Sequence, residues 1–460
     1  MENPTKMISK MWKIPHYIYE HCNSHIMQRE IYSELLKWKG SKHRMPLILE
    51  GVRQCGKTHI LKQFGKNEFE SMQYLNFEEE PSLAKLFEKD LKPHRIISSI
   101  EALYSIEIST NTLIILDEIQ CCSKALTSLK YFNEEMPDYP IVCAGSLLGL
   151  LHSTPTSFPV GKVEFMKLRP LSFPEFIMAS GKEKLYDHIV TINDLSDIPE
   201  AMMNIIDDLY AEYLFVGGMP MAVMSWIESH DPVRVRKIQS DIIRLYQSDF
   251  AKYAPQNDIK KLLAIWSSLP EQLSKENRKF IFGHAVEGGR ARDLEDALQW
   301  LIYAGMVMRV KLISKPSDPI SSYSNGSYFK LYCSDVGLLG AIADVSYQSI
   351  MNGSEGYAEF KGAMTENYVL TELVNATGTI PYYWRSEGRA EVDFVHRIDD
   401  MTIPIEVKSG DYRKLKSLEV YMDTYSPKRA VVISKDLHKG NLVSVPLSLV
   451  WKIKDILRSR

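Results

Sequence analysis

The fold is decided by residues 46–64, which read PLILEGVRQCGKTHILKQF. The apolar run Leu47–Leu49 is typical of a short buried strand, and the residues after His59 have the pattern of a helix. Between them, Gly51 to Thr58 spell G-x-x-x-x-G-K-T, in the strand–loop–helix order that a phosphate-binding loop requires. This stretch therefore predicts a binding site for a nucleoside triphosphate, rather than a glycine loop that only turns the chain.

The residue types of this loop suit a phosphate. Its two glycines let successive backbone N–H groups face one anion, and the next helix directs its positive end at the same point. Lys57 would reach the β- and γ-phosphates, and the Thr58 hydroxyl would hold Mg²⁺. The predicted nucleotide-binding residues are Gly51, Val52, Arg53, Gln54, Cys55, Gly56, Lys57 and Thr58.

A second apolar strand ends in two acids, in the stretch 112–118 with the sequence TLIILDE. Downstream of a phosphate loop, Asp117 is expected to hold Mg²⁺ directly or through water, and Glu118 to polarise an attacking water. Such a pair also occurs as a helix cap or a solvated turn. Ser146 follows a third apolar strand, and it positions water at the γ-phosphate, caps the helix predicted over 147–151, or does both. The catalytic candidates are Lys57, Glu118 and Ser146.

Apolar strands alternate with helical segments through this first part of the chain, including a helix predicted over 82–91. That alternation is typical of a parallel sheet with helices on both faces, and so of the α/β class. In such sheets the ligand binds at the carboxyl ends of the strands. Lys57, Asp117 and Ser146 each follow such an end.

Composition narrows the function classes. The chain has 460 residues, enough for several domains, and its net charge of −3 gives no overall attraction for nucleic acid or anionic membrane. No apolar run approaches 18 residues, and the first residues lack the apolar centre of a secretory leader. The six cysteines form no C-x-x-C pair, which indicates reduced thiols and argues against a zinc site. We expect a cytoplasmic protein with no membrane partner.

Several motifs resemble a prokaryotic family of AAA-type P-loop ATPases with a C-terminal domain of unknown function. They are GVRQCGKT, LIILDEIQ, CAGSLLGLL, LRPLSFPEF (168–176), GGMP (217–220), CSDVGLL (333–339), YYWRSEGRAEVDFV (382–395) and PIEVKSG (404–410). The resemblance implies ATP as the nucleotide, whereas the residues alone do not choose between ATP and GTP. It also implies an arginine donated by a neighbouring subunit. The candidates are Arg53, Arg169, Arg236 and Arg244.

The same resemblance, with the residue patterns, divides the chain into parts. We expect an ATPase core over 1–170, a helical lid over 171–250, a winged-helix-like module over 251–318 and a smaller α/β domain over 319–460. The third part is predicted to have three helices and a hairpin, an order that resembles a winged helix, a shape often used to read DNA. The helix that would enter the DNA groove carries acids, however, and contact with phosphates requires the opposite charge, so a packing module is the alternative. The acids are Asp293, Glu295 and Asp296.

Two alternating stretches near the C-terminus, 390–396 and 403–408, predict strands joined by a tight turn at Asp399-Asp400. In that register Asp393 lies opposite Glu406, with Lys408 on the same face. Two adjacent carboxylates repel unless a cation lies between them. A lysine beside a metal can stabilise charge on a phosphate or on the attacking water.

Asp393 followed by Glu406-x-Lys408, with Glu366 on an upstream helix, resembles the restriction-endonuclease-like nuclease core, often written PD-(D/E)xK. The resemblance implies a second metal site at Glu366, Asp393 and Glu406, with Lys408 as the catalytic lysine, although Val392 replaces the motif's proline. An active nuclease and an inactive relative both stay open. Basic residues nearby would suit a nucleic-acid backbone or are solvated charge: Arg385, Arg389, Lys414, Lys416, Lys428 and Arg429.

Two functions follow from these patterns. The first is an ATP-hydrolysing protein that acts on or with DNA through a nuclease-like C-terminal domain. The second is a nucleotide-gated regulatory protein whose C-terminal domain is an inactive binding adaptor. In both, ATP and Mg²⁺ are the expected ligands, and the expected partners are DNA, another protein or further copies of the chain.

Overall fold

We describe the protein from a computed structural model, over residues 27–145, 159, 161–275, 278–410, 415–435 and 442–459. In these ranges the first sheet has five parallel strands in the order β2-β3-β4-β1-β5. They are β1 (Leu47–Glu50), β2 (Ser71–Asn76), β3 (Thr112–Asp117), β4 (Ile141–Gly145) and β5 (Glu164–Lys167). Because β4 lies between β1 and β3, the ends of the loop strand and of the acidic strand are separated by one strand.

The predicted parallel sheet with helices on both faces is confirmed. Successive residues of β3 enter two different cores: Leu113 and Ile115 pack in one, Ile114 and Leu116 in the other. Each fully buried aliphatic side chain contributes about 1.5–3 kcal/mol, so both faces need covering helices. These are α1 (Ile31–Lys39), α2 (Lys57–Glu68), α3 (Pro93–Tyr104) and α4 (Ser123–Glu135).

The prediction of an α-helix over 82–91 is wrong. The chain forms only a short 3₁₀ segment at Pro81–Phe87, and then α3 begins at Pro93. A proline disfavours helical backbone in the residue before it but suits the first turn of a helix. The two prolines therefore start two separate segments.

The lid region is helical, as expected. Its helices are α5 (Phe173–Ala179), α6 (Glu183–Thr191), α7 (Glu200–Val216), α8 (Pro220–Ser229) and α9 (Pro232–Tyr253). The long helix α9 returns to the phosphate loop, where the Tyr246 hydroxyl donates a hydrogen bond to the carbonyl of Arg53 at 2.9 Å.

The third part has the predicted helices and hairpin. They are α10 (Ile259–Ser274), α11 (Phe282–Ala285), α12 (Ala291–Tyr303), β6 (Val307–Ile313) and β7 (Ser324–Cys333). Strand β6 also pairs with a strand of the C-terminal part, so the expected boundary at 318/319 falls inside this hairpin. Glu295 on α12 pairs with Arg309 on β6 at 2.6 Å, so one acid of this helix is directed toward the hairpin that follows it.

The second sheet is mixed, with seven strands in the order β12-β11-β10-β9-β8-β6-β7. Its further strands are β8 (Tyr382–Arg385), β9 (Glu391–Ile398), β10 (Met401–Val407), β11 (Val431–Ser434) and β12 (Val443–Pro446). The helices of this part are α13 (Val336–Ile342), α14 (Tyr347–Asn352), α15 (Glu355–Thr377), α16 (Lys416–Tyr425) and α17 (Ile453–Ser459).

Three of the sequence motifs meet at the junction of lid and C-terminal part. Gly218 N donates to Asp335 Oδ2 at 2.6 Å, and Leu171 N donates to the Gly218 carbonyl at 2.6 Å. A side chain at Gly218 would collide with the Leu171 backbone. Phe173 N, at the start of α5, donates to Glu372 on α15 at 3.1 Å. These motifs therefore join the parts of the chain.

No helix in the described ranges is long and apolar enough to cross a membrane.

Candidate active site

The phosphate loop is shaped by positions that few side chains tolerate. A Cβ at Gly51 would collide with the Leu168 carbonyl beside β5, so only glycine fits there. Gly56 has φ +97° and Gln54 has φ 67°, both in the left-handed region that favours glycine. The loop therefore curls tightly between β1 and α2.

Lys57 starts α2 and folds back over the loop. Its Nζ donates to the carbonyls of Gly51 at 2.8 Å and Val52 at 3.0 Å, and the residue is only 6% exposed. A phosphate is a stronger acceptor for an ammonium than a neutral carbonyl is. The lysine thus lies where a bound phosphate would compete for its protons.

The two residues predicted to hold Mg²⁺ lie side by side. Thr58 Oγ1 donates to Asp117 Oδ2 at 2.7 Å, and Asp117 ends β3 almost completely buried. Tyr74 on the neighbouring strand β2 also donates to Asp117 Oδ2, at 2.8 Å. We did not single out Tyr74 from the sequence, although its place on the strand next to β3 was a usable signal. Oxygen atoms of this kind are the ligands that Mg²⁺ prefers, so the donor set fits that ion.

Glu118 follows with φ 50°, a left-handed conformation. Gln120 Nε2 donates to Glu118 Oε2 at 2.5 Å. Burial raises the pKa of Glu118; the Gln120 hydrogen bond opposes this, and neighbouring Asp117 adds to it. A carboxylate with a raised pKa is a better proton acceptor than an ordinary one. Ser146 and the helix predicted over 147–151 lie outside the described residues.

The four arginine candidates lie in different surroundings. Arg53, within the loop, forms an ion pair with Asp249 on α9. Burial lowers the pKa of Arg169, and burial lowers that of Arg236 to about 10. Arg236 lies 4.7 Å over the Phe215 ring. Arg244 is the solvent-facing member, with its side chain 73% exposed.

The C-terminal strands have the predicted register. Ile405 pairs with Phe394 and Met401 with Ile398, so Glu406 follows one step on, opposite Asp393. The turn residues Asp399 and Asp400 have φ 45° and 63°, as a two-residue hairpin turn of the primed type requires. The predicted turn and register are confirmed.

Two cations that we did not predict lie among these carboxylates. Arg278, between α10 and α11, forms an ion pair with Glu366 on α15. A Cβ on Gly362 would lie 2.7 Å from Arg278 Nη2, so that glycine leaves room for the guanidinium. Lys330 on β7 is fully buried, and its Nζ lies 2.7 Å from Glu391 Oε1 and 3.9 Å from Glu366 Oε2. Little in the sequence indicated either cation, because Arg278 and Lys330 lie far along the chain from Asp393, Glu406 and Lys408.

We define the acid cluster as Glu366, Glu391, Asp393 and Glu406 with Arg278, Lys330 and Lys408. Lys330 Nζ also lies 3.9 Å from Asp393 Oδ1, and Lys408 Nζ lies 2.6 Å from Glu406 Oε1. Val407 N donates to Asp393 Oδ2 at 2.8 Å. The acid cluster therefore contains both signs of charge.

The pKa shifts in the acid cluster follow its cations. Burial would raise the pKa of Glu366, but Arg278 and Lys330 lower it below its ordinary range. Burial raises the pKa of Asp393 well above its ordinary value, and Glu366 and Glu406 add to this. Among the residues that the structure describes, no group of three or more His, Cys, Asp or Glu side chains is arranged to hold a metal ion. The second metal site stays a prediction.

The basic residues proposed for nucleic acid are only partly on the surface. Arg429 Nη1 donates inward, to the Leu457 carbonyl. Lys414 lies outside the described residues. Four of the set are exposed: Arg385, Arg389, Lys416 and Lys428.

Comparison with known proteins decides the class of the first part. Residues 43–177 match the family model of an AAA domain. This part of the chain is therefore an AAA-type P-loop ATPase-like domain. Residues 207–349 and 361–449 match two models described as domains of unknown function, DUF8612 and DUF4143. These two matches add no activity and no nuclease fold.

The similar proteins are distant. An uncharacterized protein of Haemophilus influenzae is 28% identical over 194 residues, which span 39% of this chain and 40% of that relative. The Walker-type ATPase PABY2304 of Pyrococcus abyssi is 15% identical, with a TM-score of 0.44, over 69% of this chain and 96% of that one. Cdc6p from Pyrobaculum aerophilum is 12% identical, with a TM-score of 0.23, over 74% and 96%. These two structural likenesses carry no argument about function.

Proposed function

We propose that the AAA-type domain binds ATP with Mg²⁺ and hydrolyses it. The observation that supports this most is the juxtaposition of Thr58 Oγ1 and Asp117 Oδ2, 2.7 Å apart, at the start of the helix that carries Lys57. Glu118 follows Asp117 at the same edge of the sheet. A phosphate loop, two oxygen ligands and a candidate base at one edge are the parts that phosphoryl transfer to water requires.

Each residue has one task in this proposal. Backbone N–H groups of 52–58 and Lys57 hold the β- and γ-phosphates, while Thr58 and Asp117 hold Mg²⁺, which neutralises developing phosphate charge. Glu118 accepts a proton from the attacking water. The water oxygen bonds to the γ-phosphorus as the bond from that phosphorus to the bridging oxygen breaks. The bridging oxygen keeps the electron pair, so the products are ADP and inorganic phosphate.

The test is phosphate release by the full-length chain with ATP or GTP and Mg²⁺, with EDTA as the blank. We expect turnover with ATP that stops in EDTA. Absence of both turnover and nucleotide binding in wild-type protein would contradict the proposal. Faster turnover of GTP would keep the site but change its nucleotide.

For the C-terminal part we propose a nucleotide-gated binding module rather than an active nuclease. The supporting observation is that Arg278 and Lys330 already lie among its carboxylates. Those cations supply the positive charge that a metal would otherwise bring. The test is cleavage of plasmid and single-stranded DNA in Mg²⁺ or Mn²⁺, with and without ATP. Cleavage by wild type that is lost in Lys408→Ala would establish the nuclease instead.

The partners are proposals of the same kind. A module of this type would hold DNA, another protein or a further copy of the chain in one nucleotide state and release it in the other. The four exposed basic residues named above are the surface that DNA would use. Electrophoretic mobility of labelled DNA with ATPγS or ADP tests this, and we expect retention that differs between the two nucleotides and falls with added salt.

A further inference from the structure

Arg53 occupies the third position of the phosphate loop, and helix α9 of the lid holds it from two sides. Its guanidinium pairs with Asp249, whose side chain is only 3% exposed. Its carbonyl accepts the Tyr246 hydroxyl at 2.9 Å. Because Tyr246 and Asp249 lie about one helical turn apart, a single face of α9 contacts both the backbone and the side chain of the same loop residue.

The contacts of Asp249 leave it dependent on Arg53. Its second oxygen, Oδ2, is buried and has no hydrogen-bond partner among the described residues. Glu78, the other acid near Arg53, lies 4.0 Å from its Nη2 and also pairs with Lys252. If the guanidinium moved away, Glu78 would keep a cation, but Asp249 would be left as a buried carboxylate without its direct partner. Such a group is costly unless it moves toward solvent or takes up a proton.

Arg53 is also within electrostatic range of the candidate base Glu118. Burial lowers the pKa of its guanidinium, but Asp249, Glu78 and the candidate base Glu118 together raise it above its ordinary value. Loop residues of this motif surround the phosphates of the nucleotide. Arginine binds phosphate oxygens through two parallel N–H groups, with more charge on the partner than one carboxylate offers.

We propose that Arg53 is a catalytic arginine supplied by the chain's own phosphate loop, and that Asp249 holds it back until ATP arrives. The γ-phosphate competes with Asp249 for the guanidinium, which then donates hydrogen bonds to the non-bridging γ-oxygens during hydrolysis. Arg53 is not consumed, since the water, proton and leaving group follow the course given above. The inference rests on the proposed ATP site and adds its arginine and its coupling to the lid.

The coupling has a physical path. Loss of the Arg53–Asp249 ion pair weakens the contact between α9 and the loop. Helix α9 also contains Arg236, whose Nη2 donates a hydrogen bond to the carbonyl of Val345, just after α13. ADP has no γ-phosphate, so it leaves the Arg53–Asp249 pair intact. The lid is therefore expected to respond to ATP and not to ADP.

The experiment compares five variants of the whole chain: Arg53→Ala, Arg53→Lys, Asp249→Asn, Arg244→Ala and Arg234→Ala. The last is an exposed arginine of α9 and serves as the control. We expect Arg53→Ala to lower kcat about 1,000-fold, the lower end of the effect of a catalytic arginine. Arg53→Lys is expected to recover little of it, because lysine lacks the planar fork.

Asp249→Asn gives the signature that a merely structural contact would not give. Removing the competitor should tighten binding of ATPγS about tenfold, within the usual range of coupling between sites, and leave ADP affinity unchanged. Equal changes for ATPγS and ADP would overturn the inference. So would a wild-type kcat in Arg53→Ala, or a loss of kcat in Arg244→Ala instead, which would assign the arginine to a neighbouring subunit.

The two proposals fail in different ways. If wild type binds ATPγS but does not hydrolyse ATP, hydrolysis is wrong, and the ATPγS-to-ADP ratio in Asp249→Asn still decides whether Asp249 competes with a γ-phosphate. If wild type binds neither nucleotide, both proposals fall. Thermal unfolding of each variant separates these outcomes from misfolding.

Discussion

Two regions of this chain bring aspartate, glutamate and lysine together, and they handle the acidic charge in opposite ways. In the AAA-type domain, Asp117 accepts hydrogen bonds from the neutral hydroxyls of Thr58 and Tyr74. In the acid cluster, Glu366 faces a guanidinium and a buried ammonium instead. In the first region, the hydrogen-bond partners of the buried aspartate are neutral side chains. In the second, arginine and lysine side chains of the same chain lie beside the buried glutamate.

The difference teaches that the residue types alone do not define a metal site. A buried carboxylate needs positive charge nearby, and the chain or a bound ion can supply it. Where neutral donors surround the acid, as at Asp117, our proposal places a divalent ion. Where Arg278 and Lys330 already lie within the cluster, the chain itself supplies positive charge.

The largest effect that tests this comparison is expected from Lys57→Ala. Removing the ammonium leaves the β- and γ-phosphates without their main cation, so nucleotide binding and turnover should both be lost, by about 100-fold or more. Thermal unfolding with and without ATP gives the binding readout, since ligand stabilises only a chain that binds it. An ATP-induced shift equal to wild type would contradict the assignment of the loop.

Glu118→Gln should separate binding from chemistry. The amide keeps the shape but no longer accepts a proton, so turnover should fall by about 100- to 10,000-fold while ATP affinity stays close to wild type. Calorimetric titration with ATP and phosphate release measure the two quantities. Glu107→Gln is a suitable exposed control. Unaltered turnover in Glu118→Gln would assign the base elsewhere.

Lys330→Met tests whether the acid cluster depends on a cation of its own chain. The side chain is fully buried among carboxylates, so its loss should destabilise this region by about 3–5 kcal/mol, as expected when one partner of a buried pair is removed. ATP affinity should not change. Hydrogen exchange of the β9 and β10 amides measures the local effect.

The exposed Lys416→Met is the matched control for that variant. Adding Glu391→Gln to Lys330→Met should recover part of the protection, because the carboxylate that lies 2.7 Å from the Lys330 ammonium is then gone. Protection as high as wild type in Lys330→Met alone would show that the cluster does not need its internal cation.

Glu372 shows a third way to bury an acid, and the smallest expected effect. Burial raises its pKa from an ordinary 4.5 to about 8, so it keeps its proton at neutral pH. The folded chain then holds a proton that the unfolded chain releases, and this contribution to stability is full below pH 4.5 and is lost as pH rises to about 8.

Glu372→Gln should flatten that decline while its oxygen still accepts the Phe173 N–H. Urea midpoints at several pH values between these limits measure the slope. Some slope should remain, because burial also raises the pKa of Glu30 to about 7. The exposed Glu387→Gln is the control, and an equal slope in Glu372→Gln and wild type would contradict the assignment.

The sequence predicted the local features of both regions well. The phosphate loop, the acidic strand end and the Asp399-Asp400 hairpin depend on neighbouring residues, and all three have the expected form. Tyr74, Arg278 and Lys330 were missed because their roles depend on contacts between distant segments. No spacing in the chain shows that a loop before α11 and a strand after it deliver cations to Glu366.

The same reason explains the junction of the lid. The motifs at 168–176, 217–220 and 333–339 supported a family resemblance, but their contacts with one another had no signal in the sequence. Close backbone approach at Gly218, with Asp335 accepting its N–H, gives these residues a packing role. A motif can therefore mark a joint between parts as well as a chemical site.

The most direct test of the account is the number of Mn²⁺ ions bound per chain, measured by electron paramagnetic resonance with and without ATPγS. The account predicts a single tightly bound ion that appears only with nucleotide, disappears in Lys57→Ala and is unaffected by Glu406→Gln. A tightly bound ion that needs no nucleotide and is lost in Glu406→Gln would contradict it, since the acid cluster would then be a metal site.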